Sequence, residues 1–491
     1  MPDTQTFALV VLLVAATGLV GVLSNRLTAR LRVPAPALLL AAAAVAVATI
    51  PGLHEPPSRS VERLVTVALV LILFDGGMHI GWSRFREAAA PITVVGVLGT
   101  FLTAGAGAVL IHTAFGLDWY PALLIATAVA PTDPAVVFSV LGQREVSGRS
   151  GTILEGESGA NDPVGIALMA SLIGAGGLSG GAFASVASQF VLQMVVGAAV
   201  GLVGGRALLW FTRRVPLPSE ALYPLRTLAC VLVLFAVATL GHGSGFLAVF
   251  VAGISMSDER APYKREVQRF HSALASLGEI VAFVALGLTV DIGTLARTDV
   301  WVPGLVLGVV LALVIRPLAV GLCLLPTRLE RNERAFVLFA GLKGAVPILL
   351  GSFLLQAALP HAHRLYGIVV VVVVFSVVVQ GSLVPDVTRW LRLGMRTVEP
   401  EPWTLGVRLR DEPAGAHRFT VGPGSQADGR RIEDLTGLPG DVWVSFLIRD
   451  QRLVPVGADT RLQARDDVLV LADPGRHDEL SRMFERGNGL P

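Results

Sequence analysis

The chain has 491 residues, 53% of them hydrophobic and 15% charged, with a formal net charge of +2 and a mean hydropathy of +0.67. These values exclude an ordinary soluble protein and indicate a polytopic membrane protein. The near-neutral balance gives no indication of a nucleic-acid partner, and none is expected. Cys230 and Cys323 both fall in apolar stretches; they read as small buried hydrophobes and leave no disulfide framework.

Apolar stretches of spanning length begin near Phe7, Pro34, Val61, Pro91, Trp119, Thr152 and Ala182. After a polar break at Arg213-Arg214 they resume near Glu220, Ser244, Phe270, Trp301, Glu333 and His363. An α-helical polytopic protein of about 13 transmembrane helices is predicted. The first stretch follows acidic Asp3 and no basic segment, so it is expected as a span and not as a signal peptide. Loops after odd-numbered spans carry 16 Lys or Arg residues against 4 in the others. By the positive-inside rule the N-terminus lies outside, the C-terminus lies inside, and the protein is a multi-pass component of the plasma membrane.

The starts of spans 1–6 recur in spans 8–13 at an offset of about 210 residues. Span 7 joins the two copies, so the second six-helix unit is inverted, the architecture of secondary transporters with midplane sites on interrupted helices. Span 5 carries Pro131-Thr132-Asp133-Pro134 in mid-membrane, and its counterpart, span 12, carries Gly341-Leu342-Lys343-Gly344-Ala345-Val346-Pro347. Proline removes a helical hydrogen bond, so helices 5 and 12 are expected to be discontinuous. Asp133 and Lys343 then partly balance the dipoles of the half-helix ends.

From about Leu393 the pattern changes to short alternating strands, Asp441–Ile448 and Asp467–Leu471, with turns at Pro423-Gly424, Asp428-Gly429 and Pro439-Gly440. Ile432–Leu435 and Asp478–Glu485 read as helical. The domain reading is a transmembrane domain over 1–394, a linker over 395–402 and a small cytoplasmic α+β domain over 403–491.

Span 6 contains Gly156-Glu157-Ser158-Gly159-Ala160-Asn161-Asp162-Pro163. A charged side chain at the centre of a membrane helix costs about 2.5–3.5 kcal/mol, so an acid there is a functional candidate. Glu157 and Asp162 are five residues apart and point to different sides of a helix. Asp162 is the expected carrier, because burial disfavours the charged form of a carboxylate. One such group binds either a proton or a dehydrated monovalent cation, and exchange becomes obligatory. Oxygen donors suit K⁺ or Na⁺, and Thr132, Ser158 and unwound carbonyls of span 5 are placed to complete the shell. Asn161 is placed to bridge the broken helix, with Asp133 accepting from its amide. Glu157 needs a partner, and Arg316 is the guanidinium deep in a span of the second repeat; a buried structural pair is expected. Asp75 reads equally as a helix terminus or an ion-entry residue, and His242 as a solvated loop histidine. The sequence carries no Walker-type phosphate loop and no dinucleotide fingerprint, so neither a cofactor nor an ATP-driven pump is expected and the protein is not read as an enzyme.

With these residues in place the chain resembles the monovalent cation:proton antiporter superfamily, in its electroneutral sodium/proton or potassium/proton exchanger branch (NhaP-like). The resemblance is carried by Pro131-Thr132-Asp133-Pro134, Gly156-Glu157-Ser158 with Asn161-Asp162, Gly243-Ser244-Gly245-Phe246-Leu247-Ala248, Arg316-Pro317, Gly341-Leu342 with Gly344-Ala345-Val346-Pro347, and Gln380-Gly381-Ser382. It implies alternating access by an elevator-like core, a homodimer in the family's manner, exchange at Asp162 with Thr132, Asp133, Ser158 and Asn161 around it, and a Glu157–Arg316 pair. Asn161 before Asp162 resembles the electroneutral variant. Two departures stand out. Lys343 occupies a place where the family usually has arginine, and Gly159-Ala160 replaces a bulkier apolar pair.

The C-terminal part resembles a TrkA-C domain, the ligand-binding half of potassium-conductance regulators, along Phe419–Asp428, Ile432–Leu438 and Arg452–Leu471. That combination favours K⁺/H⁺ exchange, with Na⁺(Li⁺)/H⁺ exchange by the same mechanism as the alternative and a ligand-gated cation channel as a different class. A small cytoplasmic ligand on 403–491 is the regulatory partner to be expected.

Overall fold

The computed structural model describes residues 19, 34–49, 58–141, 144–146, 149–178, 180–257, 261–290, 292–327, 329–357, 359–397, 415–435, 442–449 and 452–485. The chain divides into two units, Met1–Pro400 and Glu401–Pro491.

The first unit is helical. In chain order it runs through α1 (Ala35–Thr49), α2 (Ser58–Ile80), and α3 (Trp82–Thr93), which passes through π-helical Val94–Gly99 into α4 (Thr100–Phe115). Next come α5 (Trp119–Ala128), α6 (Pro134–Leu141), α7 (Arg149–Ala175), α8 (Ala182–Arg214), α9 (Leu222–Leu240), α10 (Gly245–Ser257) and α11 (Lys264–Gly287). The remainder is α12 (Thr298–Val310), joined by π-helical Leu311–Ile315 to α13 (Arg316–Cys323), then α14 (Arg331–Phe339), α15 (Ala345–Gln356), and α16 (Ala362–Val374), joined by π-helical Phe375–Gln380 to α17 (Gly381–Trp390).

Helices cover every expected stretch except the first, which lies outside the described residues. Among the described residues, seven helices are each long and apolar enough to cross a membrane. Starts differ from expectation where charged residues join the first turns. α3 begins at Trp82 and not near Pro91, and α11 begins at Lys264 and not near Phe270. Lys, Arg and Glu are good helix formers, so the apolar window marks membrane depth and not the helix end.

α2 packs against both α10 and α11, burying Val65, Leu69 and Phe74 with Phe250, Ile254 and Phe283 in the main core. α8 lies close to α10: a Cβ at Gly201 would meet the Ala248 carbonyl at 2.6 Å, the small-residue contact by which membrane helices approach without large side chains. Two short strands, β1 (Arg144–Val146) and β2 (Met395–Thr397), pair antiparallel. The first residues expected as linker are therefore a strand tied back to the helical unit.

The second unit is a four-stranded antiparallel sheet of β3 (Ala416–Thr420), β4 (Trp443–Arg449), β5 (Arg452–Val454) and β6 (Asp467–Leu471), in the order β3-β6-β4-β5, with α18 (His477–Phe484). Alternate strand residues Phe419, Leu447, Val468 and Val470 close a core with Leu480 and Phe484. The expected helix at 432–435 is a single 3₁₀ turn, Ile432–Asp434; the turn expected at Pro439-Gly440 lies outside the described residues.

Candidate functional site

The site is built where two interrupted helices meet. α5 stops at Ala128 and α6 begins at Pro134, leaving Val129–Asp133 non-helical; α14 stops at Phe339 and α15 begins at Ala345. Pro131 and Pro134 remove donors from the first break, and each break supplies what the other lacks. The Asp133 amide donates to the Leu342 carbonyl at 2.8 Å. Lys343 Nζ donates to the carbonyls of Ala130 at 2.9 Å and Pro131 at 3.1 Å, so an ammonium stands just beyond the C-terminal end of α5, where the dipole is negative. The second break is pinned by the Ser376 hydroxyl, which accepts from the Lys343 amide at 2.9 Å and donates to Gln380 Oε1 at 2.9 Å; Gln380 Nε2 donates to the Phe339 carbonyl at 2.6 Å.

Asp133 immediately precedes α6, and its carboxylate also lies against Gly344, which precedes α15. Two positive helix ends thus converge on one acid. A Cβ at Gly344 would coincide with that carboxylate. Gly344→Ala is therefore expected to cost about 1–3 kcal/mol by overpacking, read as a lowered melting temperature in detergent. In an Asp133→Ala background most of that cost disappears; equal losses in both backgrounds would exclude the contact as its source.

α7 carries the other acids through the centre of the unit. Glu157 and Arg316 are 2% and 4% exposed and meet in a fork, Nη1 to Oε1 at 2.6 Å and Nη2 to Oε2 at 3.0 Å. Arg316 also donates from Nε to Leu338 O at 3.0 Å and from Nη2 to Val337 O at 2.9 Å, satisfying carbonyls in the last turn of α14. The helix entering the second break is thereby tied to α7.

Asp162 faces the crossing and is 7% exposed. Ser158, one turn earlier, has its hydroxyl beside this carboxyl, and the charges of Asp133 and Lys343 both act on it. Among the described residues its Oδ1 has no hydrogen-bond partner. Asn161 bridges to the first break through Thr132: its Nδ2 donates to Thr132 Oγ1 at 2.8 Å, and its Oδ1 accepts from the Thr132 amide at 3.4 Å. Thr132, Ser158, Asn161 and Asp162 thus line one buried place, while Glu157 points away from it towards Arg316.

Tertiary contacts account for the small residues at 159 and 160. A Cβ at Gly159 would overlap the Phe250 ring, and the Ala160 methyl fills the space that a Cβ on Gly96 would take, at 2.5 Å. Asp75 lies inside α2 and not at its end; it accepts from the Ser272 hydroxyl at 2.8 Å, and His79 Nδ1 lies 3.4 Å from it. His242 is an exposed turn residue with φ +58°. The sequence reading did not single out Ser376 and Gln380 as anchors of the second break, nor Glu279 of α11, on which the charge of Asp133 acts. Glu279 had a signal available: it is an acid well inside an apolar helix.

The architecture and the convergence of polar groups at a crossing of two broken helices define an ion-exchanger type of membrane protein. The chain belongs to the sodium/hydrogen exchanger family, whose transmembrane model matches residues 10–390. A TrkA-C domain model matches residues 416–485. The chain is 34% identical over 410 residues to the K⁺/H⁺ antiporter NhaP of Alkalimonas amylolytica, covering 83% of this chain and 71% of that protein. It is 30% identical over 493 residues to the K⁺/H⁺ antiporter NhaP2 of Shewanella sp. strain MR-4, covering 98% and 84%. Its fold is similar to that of the sodium proton antiporter MjNhaP1 from Methanocaldococcus jannaschii, with a TM-score of 0.66 at 20% identity, covering 78% of this chain and 98% of that one.

Proposed function

We propose that the protein is a secondary-active K⁺/H⁺ antiporter in which Asp162 alternately binds a proton and the cation. The observation that carries this reading is the buried Asp162 carboxylate at the crossing of the two breaks, one of whose oxygens has no hydrogen-bond partner among the described residues. The carboxylate accepts either one proton or one dehydrated cation, and the hydroxyls of Thr132 and Ser158 and the Asn161 oxygen add neutral ligands of the kind K⁺ or Na⁺ takes. One charge exchanges for one charge. Asn161 in place of a second acid supports electroneutral stoichiometry. Glu157 and Arg316 hold the core together, and Lys343 and Asp133 balance the half-helix ends.

In this reading residues 1–394 form the exchanger, with the strand Met395–Thr397 paired to it, the linker follows that strand, and 403–491 form a cytoplasmic regulatory domain; the N-terminus is outside, the core moves between the two sides, and two copies form a dimer. Relatives named K⁺/H⁺ antiporters support K⁺ as the cation, and a relative named a low-affinity Na⁺/H⁺ antiporter, from Synechocystis, keeps Na⁺ as the second reading. The test uses proteoliposomes with a preset pH gradient and a lumenal pH dye, to which K⁺, Na⁺ and Li⁺ are added in turn. Gradient dissipation driven by K⁺ ahead of Na⁺ is expected; dissipation by Na⁺ alone replaces the cation, and no response to any of the three removes the antiporter reading.

A further inference from the structure

We infer that Glu279 is a second proton-carrying residue of the exchange, placed between the polar seam of α2 with α11 and Asp133 at the helix crossing. The inference rests on the antiporter reading. Glu279 lies well inside α11, a 24-residue helix apolar enough to span a membrane. Carrying a carboxylate at such depth is costly. The other acids of this protein that are buried for structure are held by donors: Glu157 by the Arg316 fork, and Asp466 of the second unit by Arg449 Nε at 2.8 Å and Nη2 at 2.7 Å. Among the described residues Glu279 has no hydrogen bond or ion pair of that kind, and the charge acting on it, Asp133, has its own sign. Two like-charged carboxylates in a low-dielectric site repel while both are ionised and are relieved when a proton is held on one of them. That arrangement serves proton transfer and is a poor way to stabilise a helix.

Its position joins two polar groups. Gly278 packs on the Ala68 carbonyl of α2, 3.2 Å from where its Cβ would stand. Ser272, seven residues before Glu279 and on the same face of α11, two turns and about 10 Å away, donates to Asp75, beside which stand His79 and the buried His271. Among the described residues the buried Nε2 of His271 has no hydrogen-bond partner. Titratable groups therefore run from the basic N-terminal end of α11, which carries Lys264, Arg265 and Arg269, through Asp75 and His271 to Glu279, and then to Asp133 and Asp162. Of the other helices packed on α11, α1 and α15 carry no charged side chain, and α9 brings Arg226 with Tyr223 and Cys230.

The test compares wild type, Glu279→Gln, Glu279→Asp and Asp162→Asn as full-length chains in proteoliposomes, measuring exchange rate against pH and cation concentration, with melting temperature in detergent alongside. Glu279→Gln is expected to lower the maximal rate at least about tenfold and to flatten its pH dependence, leaving the half-saturating cation concentration and the melting temperature near those of wild type. Glu279→Asp restores most of the rate. Wild-type pH dependence in Glu279→Gln, or a rate that falls only in step with a falling melting temperature, overturns the proposal. An active wild type with an unchanged Glu279→Gln sinks this assignment alone, whereas an inactive wild type sinks the antiporter reading and this inference together.

Discussion

Asp162→Asn is expected to reduce cation-dependent dissipation of a pH gradient to the level of protein-free vesicles, for K⁺, Na⁺ and Li⁺ alike. Asparagine has nearly the shape of aspartate but neither gains nor loses a proton, so the substitution removes the exchange chemistry and leaves the packing. Its amide nitrogen meets the Ser158 hydroxyl that now lies beside the carboxyl, and the Asn161–Thr132 contact at 2.8 Å is untouched. Removing a negative charge that faces Asp133 takes away a repulsion. The variant should therefore be as stable as wild type or more so, which separates lost transport from lost folding. Exchange retained by Asp162→Asn would exclude it as the carrier and turn attention to Asp133.

Loss of either member of the Glu157–Arg316 pair should have the largest effect on folding. Breaking a buried ion pair by truncating one side typically costs about 3–5 kcal/mol, because the remaining charge stays buried and unpaired. Here Arg316→Ala also strips donors from the Leu338 and Val337 carbonyls, so it is expected to cost more than Glu157→Ala. The measurement is melting temperature and monodispersity in detergent, with yield from the membrane fraction. Arg316→Lys keeps the charge but loses the planar fork and should fall between wild type and alanine. Exchanging the two residues should fail to rescue, since a glutamate at 316 accepts hydrogen bonds and cannot donate to two carbonyls. A Glu157→Gln protein that melts like wild type yet does not transport would move Glu157 from the scaffold to the transport chemistry.

Glu279 and the second break show where a one-dimensional reading runs short. Glu279 lies in an apolar helix that begins with four charged residues among its first six positions, and beside that polar start a lone acid attracts little notice. Ser376 and Gln380 sit after a valine-rich run, and their hydrogen bonds reach back to Phe339 and Lys343. Such residues gain their meaning from partners some 40 positions away, which periodicity does not report. The strand Met395–Thr397 is silent in the sequence for a similar reason: a three-residue strand has no signature of its own, and its partner, Arg144–Val146, lies in a distant loop.

Much of the architecture is nevertheless dictated by local chemistry. Apolar runs of spanning length, the prolines at 131 and 134, the glycines at 341 and 344, and strand alternation near 443–449 and 467–471 each impose helix, break or strand on their own neighbourhood. Charges inside a membrane are costly, so Glu157, Asp162, Arg316 and Lys343 are conspicuous in the sequence before any partner is known. Which of them meet was decided only by the packing of the helices. That packing sets the Arg316 fork on Glu157, the Lys343 ammonium at the end of α5, and Asp133 between two helix N-termini, leaving one oxygen of Asp162 without a partner among the described residues. Distances between helices far apart in the chain depend on side-chain volumes and backbone approach, as at Gly344 and Gly159, and these act only once the tertiary structure has formed.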